Sequence, residues 1–242
     1  MGLIEANGTT LYHERRGEGP VVSVRVGSDR RRRSLDGVAD VLASAHTIVT
    51  YDRRGNSRSP RPPEWTATTI DEQADDAAAL LGALDVEQTV VMGTSAAAGI
   101  VANLALRHDF LLRGVVIHEP LFQSVVTNAD AVRAGRRAQI EAGLAKGGRR
   151  GATEAFLRYA AGETVYDSLD RALRERLLGN GEVLIGIEMG PYVAYEPTHA
   201  TNSPTMRVSR RDRRSRQPPP QTPRGTGGTN PHSGSPPNSR PA

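Results

Sequence analysis

The first half of the chain alternates between short apolar runs and segments whose apolar residues recur at helical spacing. Asn7-Gly8 lies between two short runs, and this dipeptide is typical of a tight hairpin turn. The predicted strands are 2–6, 9–15, 21–26, 47–51, 88–92 and 114–117, and the predicted helices are 35–44, 69–84 and 95–108. Strands that alternate with helices predict an α/β fold with a doubly wound, mainly parallel sheet, whose functional site lies at the carboxyl ends of the strands.

Beyond Pro120 the pattern is helical throughout. The apolar spacing predicts helices at about 128–146, 151–161, 167–178 and 182–195. Helices that follow a strand in this way suit a cap over the sheet. The expected organisation is therefore a sheet-containing core at 1–125, a helical cap at 126–200 and a separate segment at 201–242.

Composition sets the last segment apart. Residues 201–242 hold nine of the 16 prolines and eight arginines, but only one acidic residue, Asp212. Such a segment cannot bury enough apolar surface to fold, so we expect a disordered basic tail. The remaining residues carry 23 basic and 26 acidic side chains, so the net charge of +4 comes from the tail. A nucleic-acid partner is accordingly not expected for the folded part, and only the tail offers the charge for one.

The chain contains no cysteine, which excludes disulfides, thiolate catalysis and cysteine-ligated metal sites. Its N-terminus lacks the basic and apolar blocks of a signal peptide, and no apolar run is long enough to span a membrane. We therefore expect a cytoplasmic protein without a membrane partner, and the oligomeric state stays open. Neither a phosphate-binding glycine loop nor a His/Asp metal cluster is recognisable, so no cofactor and no metal ion is expected.

The segment with the clearest chemical meaning runs from Thr89 to Ile100. This apolar run breaks at Gly93, presents Ser95 and continues as an alanine-rich helix, which is the form of a nucleophile elbow. In such an elbow a strained strand-to-helix turn exposes the serine hydroxyl, and the first helical N–H groups point at the same space. Gly93 and Ala97 provide the small side chains that the close approach of strand and helix requires. The alternative interpretation is an ordinary helix N-cap, where serine is also favoured.

Several motifs together resemble the α/β-hydrolase superfamily over residues 1 to about 200. The sequence Tyr-Asp-Arg-Arg-Gly-Asn-Ser-Arg-Ser at 51–59 follows a predicted strand, and Gly-Thr-Ser-Ala-Ala at 93–97 resembles the G-x-S-x-G elbow with alanine in the last position. His-Glu-Pro at 118–120 is similar to small esterase-type members. The resemblance implies an α/β-hydrolase fold with a helical cap that is incomplete at its C-terminus.

The activity that the resemblance implies is hydrolysis of a small carboxylic ester or a related acyl compound. Ser95 is the implied nucleophile, and Gly93, Thr94 and Ala97 complete its elbow. A histidine would take the serine proton, an acid would orient the histidine, and two backbone N–H groups would hold the oxyanion. One of these N–H groups belongs to Ala96, and the candidate for the other is Gly27, in the loop after the third strand.

The base and the acid stay open at this stage. In this fold both follow the serine along the chain. His118 is a candidate base and Glu119 a candidate acid, because they stand at the end of the next strand. A local packing role for His118 is the competing interpretation. The other histidines after the elbow are His108, His199 and His232.

Two segments, 25–33 and 201–242, depart from the resemblance in the same way. Both are rich in arginine where the family has glycine, alanine and valine. Because a CGG arginine codon shifted by one base becomes GGC, a glycine codon, one hypothesis is that both segments are out-of-frame translations of a GC-rich gene. Reading the nucleotide sequence in all three frames tests this hypothesis.

Two other functions remain possible at this stage. A catalytically impaired or non-catalytic truncated relative would at most bind small acyl compounds. An interaction protein would instead act through its basic tail, and its binding to RNA or DNA would be sensitive to salt and would disappear when 201–242 is deleted.

Overall fold

The computed structural model describes residues 1–26, 36–197 and 206–208. The strands in this part of the chain are β1 (Gly2–Ala6), β2 (Thr9–Arg16), β3 (Val21–Val26), β4 (Thr47–Asp52), β5 (Thr89–Thr94), β6 (Leu112–His118) and β7 (Met206–Val208). They form one sheet in the order β1-β2-β4-β3-β5-β6-β7. The pairs β1–β2 and β2–β4 are antiparallel, and every other pair is parallel, which confirms the predicted mainly parallel α/β sheet.

The helices follow the predicted positions closely. They are α1 (Asp36–Ala43), α2 (Ile70–Ala83), α3 (Ala96–Arg107), α4 (Ala129–Ala161), α5 (Glu163–Asp167), α6 (Arg171–Gly179), α7 (Gly181–Val183) and α8 (Met189–Ala194). A π-helical turn, Leu184–Glu188, joins α7 to α8. The two helices predicted at 128–146 and 151–161 are the arms of α4, whose backbone leaves helical geometry at Gly147 and Gly148. In the described residues, no helix is both long and apolar enough to cross a membrane.

Local sequence signals explain where these elements begin. Asn7 and Gly8 both have positive φ, 48° and 67°, as the tight turn between β1 and β2 requires. Thr69 caps α2, and its hydroxyl accepts the Glu72 N–H at 3.0 Å. Acidic residues in the first turn of α2 add a favourable interaction with the helix dipole.

The main hydrophobic core lies between the sheet and the helices α2 and α3. Val91 of β5 and Ile117 of β6 are almost completely buried on this face, against α3 residues such as Ile100. A smaller cluster on the opposite face joins Ile48 of β4 to Met92 of β5 and to residues at the end of α1. Successive residues of a strand point to opposite faces, so these two clusters define an α3 face and an α1 face of the sheet.

The α1 face of β6 is poorly covered. Val116 is 40% exposed, whereas its neighbours Val115 and Ile117, which point to the α3 face, are 6% and 0% exposed. Val116 belongs to none of the hydrophobic clusters that the described residues form. A doubly wound sheet needs cover on both faces, so this exposure agrees with the incomplete fold that the resemblance implied.

Residues 206–208 correct one part of the expected tail. The sequence predicted a disordered segment over 201–242, yet Met206–Val208 forms β7 and pairs in parallel with Val115–Ile117 of β6. Met206 and Val208 are two of the few apolar residues in this segment, and the free edge of β6 provides backbone hydrogen-bonding groups for them. The rest of the predicted tail lies outside the described residues, and the boundaries of the core and cap stay predictions.

Candidate active site

Ser95 lies in a sharp turn between the end of β5 and the start of α3. Its backbone angles are φ 57° and ψ −121°, a strained conformation for a residue with a side chain. Hydrogen bonds hold the turn on both sides: the Ser95 N–H donates to the His118 carbonyl at 2.9 Å, and the Ser95 carbonyl accepts the Ala98 N–H at 3.0 Å. The strained strand-to-helix turn that defines a nucleophile elbow is thus present at this serine.

Ser95 does not act as an ordinary helix cap. Its side chain makes no capping hydrogen bond to α3, and its φ is positive. Thr69, which does cap a helix in this protein, has an extended backbone (φ −127°, ψ 163°) and a hydroxyl bonded to the N–H of Glu72. Ser95 thus occupies the N-cap position of α3 without side-chain capping, and the residue is half-buried.

Steric contacts explain why the residues around Ser95 are small. A Cβ on Gly93 would lie 2.4 Å from the Ala97 carbonyl oxygen and 2.7 Å from Val101 Cγ2. Ala97 is itself 4% exposed in the tight contact between β5 and α3. Ala96 is the first residue of α3, so its N–H has no acceptor within the helix and is free to serve a ligand. Gly27, the other candidate oxyanion donor, lies outside the described residues.

His118 and Glu119 stand beside the elbow. Thr94 pairs with His118 in the parallel β5–β6 ladder, and the Ser95 N–H donates to the His118 carbonyl at 2.9 Å, so the end of β6 adjoins the elbow. The His118 ring is half-buried, and its Nδ1 has no hydrogen-bond partner among the described residues. Glu119 is exposed and has a positive φ of 47°. Within the described part of the chain, no hydrogen bond joins Ser95 Oγ to either side chain.

The other histidines do not meet Ser95 in the described structure. His108 follows the last turn of α3, about 20 Å from Ser95 along the helix axis, and its Nε2 lies 2.7 Å from Asp75 Oδ1. Burial raises the pKa of Asp75, but hydrogen bonds from His108 and Arg107 outweigh it, so that the pKa lies below its usual range. His108 contacts Asp75 at the far end of α3 and lies too far from Ser95 to be its base. His199 and His232 lie outside the described residues.

The loop that follows β4 contains charged residues to which sequence reasoning gave no individual role. Arg54 turns toward α2, where its Nη2 lies 2.6 Å from Asp76 Oδ1. Arg58 instead folds back onto Asp52, with 2.6 Å between Nε and Oδ2. These two ion pairs hold the loop against the sheet and α2.

Arg53 makes a buried contact with the π-helical turn Leu184–Glu188. Its Nη2 lies 2.7 Å from Glu188 Oε2 and its Nε 3.1 Å from Oε1, a two-pronged pair in which Glu188 is 0% exposed. Asn56 and Gln73 donate further hydrogen bonds to Glu188 Oε1 at 2.9 and 3.2 Å. No sequence signal marked Glu188, because its partner lies 135 residues earlier in the chain. In the described ranges, no group of three or more histidine and acidic side chains could hold a metal ion.

Comparison with known proteins gives a consistent result. Residues 32–223 match the family model described as the alpha/beta hydrolase fold. The uncharacterized hydrolase YraK of Bacillus subtilis is 27% identical over 194 residues, which are 80% of this chain and 69% of YraK. The zearalenone hydrolase of Bionectria ochroleuca is 34% identical over 116 residues, which are 47% of this chain and 44% of that enzyme.

Solved structures show the same architecture. An alpha/beta hydrolase from Sphaerobacter thermophilus superposes with a TM-score of 0.58 at 24% sequence identity, covering 76% of this chain and 70% of that chain. A thermophilic esterase from Thermogutta terrifontis superposes with a TM-score of 0.55 at 18% identity, covering 77% of this chain and 68% of that chain. At these identities the likeness establishes the fold alone.

The elbow geometry makes a stability prediction at Gly93. Gly93→Ala should destabilise the protein by about 1–3 kcal/mol, because the new methyl group would meet the backbone of α3. Gly114→Ala is the matched control: Gly114 lies in the neighbouring parallel strand, and a Cβ there would have an ordinary 4.0 Å contact with Val90. Urea denaturation of both variants measures the difference. Equal stability of the two would show that β5 and α3 do not approach closely.

Proposed function

Because the chain belongs to the alpha/beta hydrolase fold family, we propose that it is a serine hydrolase that acts on a small carboxylic ester or a related acyl compound. The observation that carries the proposal is the Ser95 turn, whose strain and close packing leave the serine hydroxyl uncapped beside the start of α3. The relatives support the reaction class, hydrolysis: one is an uncharacterized hydrolase and the other a zearalenone hydrolase.

In the proposed reaction Ser95 Oγ attacks the carbonyl carbon of the ester while its proton passes to an imidazole. The tetrahedral oxyanion is held by the Ala96 N–H, the first free donor of α3, with Gly27 as the proposed second donor. Collapse of this intermediate expels the alcohol, which takes the proton from the imidazole, and leaves an acyl group on Ser95. Water then hydrolyses the acyl-enzyme and restores the serine.

His118 and Glu119 are the proposed base and acid. The β5–β6 register supports both assignments, because it brings the end of β6 next to the elbow. The free Nδ1 of His118 supports the proposal, since the structure gives that nitrogen no structural partner among the described residues. Glu119, exposed and next in the chain, would orient the imidazole and stabilise its protonated form.

Replacement of the nucleophile tests the proposal. Ser95→Ala should lower the turnover of p-nitrophenyl acetate by about 10⁴-fold or more, because it removes the atom that forms the acyl-enzyme. Ser168→Ala, at an exposed serine of the cap, should turn over the ester at the unaltered rate. Equal rates in Ser95→Ala and the parent protein would remove the serine-hydrolase proposal, and rates equal to the uncatalysed background would favour a non-catalytic relative.

The assignment of the base is tested separately. His118→Gln should lower kcat by about 10³-fold or more while the protein stays folded, since glutamine cannot take the serine proton. His108→Gln is the control, because that histidine lies at the far end of α3 and should leave kcat unaltered. Glu119→Gln should lower kcat less than His118→Gln does. If Ser95 is essential but His118→Gln keeps full activity, the base is another residue, such as His199 or His232.

A further inference from the structure

The segment that follows β6 is held by the segment that follows α8. The Gln123 N–H donates to Glu196 Oε1, and the Ser124 hydroxyl donates to Glu196 Oε2 at 3.0 Å. The side-chain amide of Gln123 also donates to the Val193 carbonyl at 3.4 Å. Glu196 lies 73 residues after Gln123, so one carboxylate joins the segment that leads into the helices α4–α8 to the segment that leads out of them.

Aromatic packing places this contact on α3. Phe122 is 4% exposed, and its ring meets the Tyr195 ring edge-on, with 6.1 Å between the two centroids. Both rings lie against Gly99, where a Cβ would be 3.2 Å from Tyr195 Cδ1 and 4.0 Å from Phe122 Cε1. The Asn103 amide donates to the Tyr195 hydroxyl at 3.3 Å. Because Gly99 is about one helical turn after Ser95, the two segments pack on the helix that follows the candidate nucleophile.

Glu119 lies between two anchored points of the chain. On one side, His118 belongs to β6, and its carbonyl accepts the Ser95 N–H at 2.9 Å. On the other side, the backbone N–H of Gln123 is bound to Glu196. The φ of Glu119 is 47°, which is unfavourable for a residue with a side chain, and such a conformation persists only where the surrounding structure enforces it. The two anchors together provide that constraint.

We propose that Glu196 is a positioning residue of the candidate active site, because it fixes the chain beyond β6 so that Glu119 can orient the His118 imidazole. This inference rests on the proposed function, in which Glu119 is the acid. A carboxylate suits the task, since its hydrogen bonds are stronger than those between neutral groups. Glu196 itself acts only through Gln123 and Ser124. Loss of its hydrogen bonds would let Glu119 relax to a negative φ and would displace the acid from the base.

Removal of the Glu196 carboxylate tests the proposal. Glu196→Ala should lower kcat for p-nitrophenyl acetate by about 10-fold or more, because a displaced acid no longer orients the base. Glu196→Gln keeps the volume of the side chain and one acceptor oxygen, so it should recover part of this loss. The control is Glu175→Ala, which removes an exposed carboxylate of α6 that pairs with Arg150, and kcat should stay unaltered. Circular dichroism checks that each variant is folded.

A double-variant cycle separates positioning from a general structural effect. If Glu196 acts through Glu119, then adding Glu196→Ala to Glu119→Gln should lower kcat by no more than about 2-fold, since the contribution of the acid is already lost. A purely structural role would lower kcat by the same factor in both backgrounds. Equal factors, or an unaltered kcat in Glu196→Ala alone, would overturn the proposal.

Hydrogen–deuterium exchange gives a readout that does not depend on activity. The backbone amide of Gln123 should exchange faster in Glu196→Ala than in the parent protein, because its acceptor is gone. Exchange at the same rate in both proteins would mean that Glu196 does not hold this segment, and the proposal would fail.

Ester turnover by Ser95→Ala distinguishes failure of this proposal from failure of the proposed function. An inactive Ser95→Ala together with a fully active Glu196→Ala would overturn only the role of Glu196. Turnover at the parent rate in Ser95→Ala would remove both, because there would be no serine proton for His118 to accept.

Discussion

The close approach of β5 and α3 at Ser95 is the constraint on which the candidate site depends. Gly93 has no room for a side chain because the Ala97 carbonyl and the Val101 side chain lie against it. The chain can turn from strand to helix in so little space only if Ser95 adopts a strained backbone. The bond from the Ser95 N–H to the His118 carbonyl then ties this turn to β6, so the packing of the sheet fixes the position of the serine.

The buried Arg53–Glu188 ion pair connects the loop after β4 to the π-helical turn in the second half of the chain. A buried ion pair costs much desolvation energy, and replacing both partners by apolar residues is often neutral for stability. Replacing only one partner, however, strongly destabilises a protein, because the other charge then stays buried without a partner. The pair therefore fastens the π-helical turn to the β4 loop, and Tyr195 of the same segment packs on Gly99 of α3.

Sequence reasoning predicted the features that depend on local signals. The Asn7-Gly8 hairpin, the alternation of strands and helices and the small residues around Ser95 each have a cause within a few neighbouring residues. Local signals could not identify Glu188, because its role depends on a partner, Arg53, that lies 135 residues away in the chain. Met206–Val208 was missed for the same reason: a short apolar stretch in a polar segment becomes a strand only because β6 offers it an edge. The sequence placed Glu119 at the end of the next predicted strand. The register that pairs Thr94 with His118, by contrast, cannot be read from the sequence.

Covalent labelling tests whether the strained turn presents Ser95 as a nucleophile. The full-length protein would be treated with a fluorophosphonate, in which an activated serine displaces fluoride from phosphorus, and digested for mass spectrometry. We expect one phosphonylated residue, Ser95, and a loss of ester turnover in proportion to labelling. Labelling of a different residue, or ester turnover that continues without any label on Ser95, would contradict it.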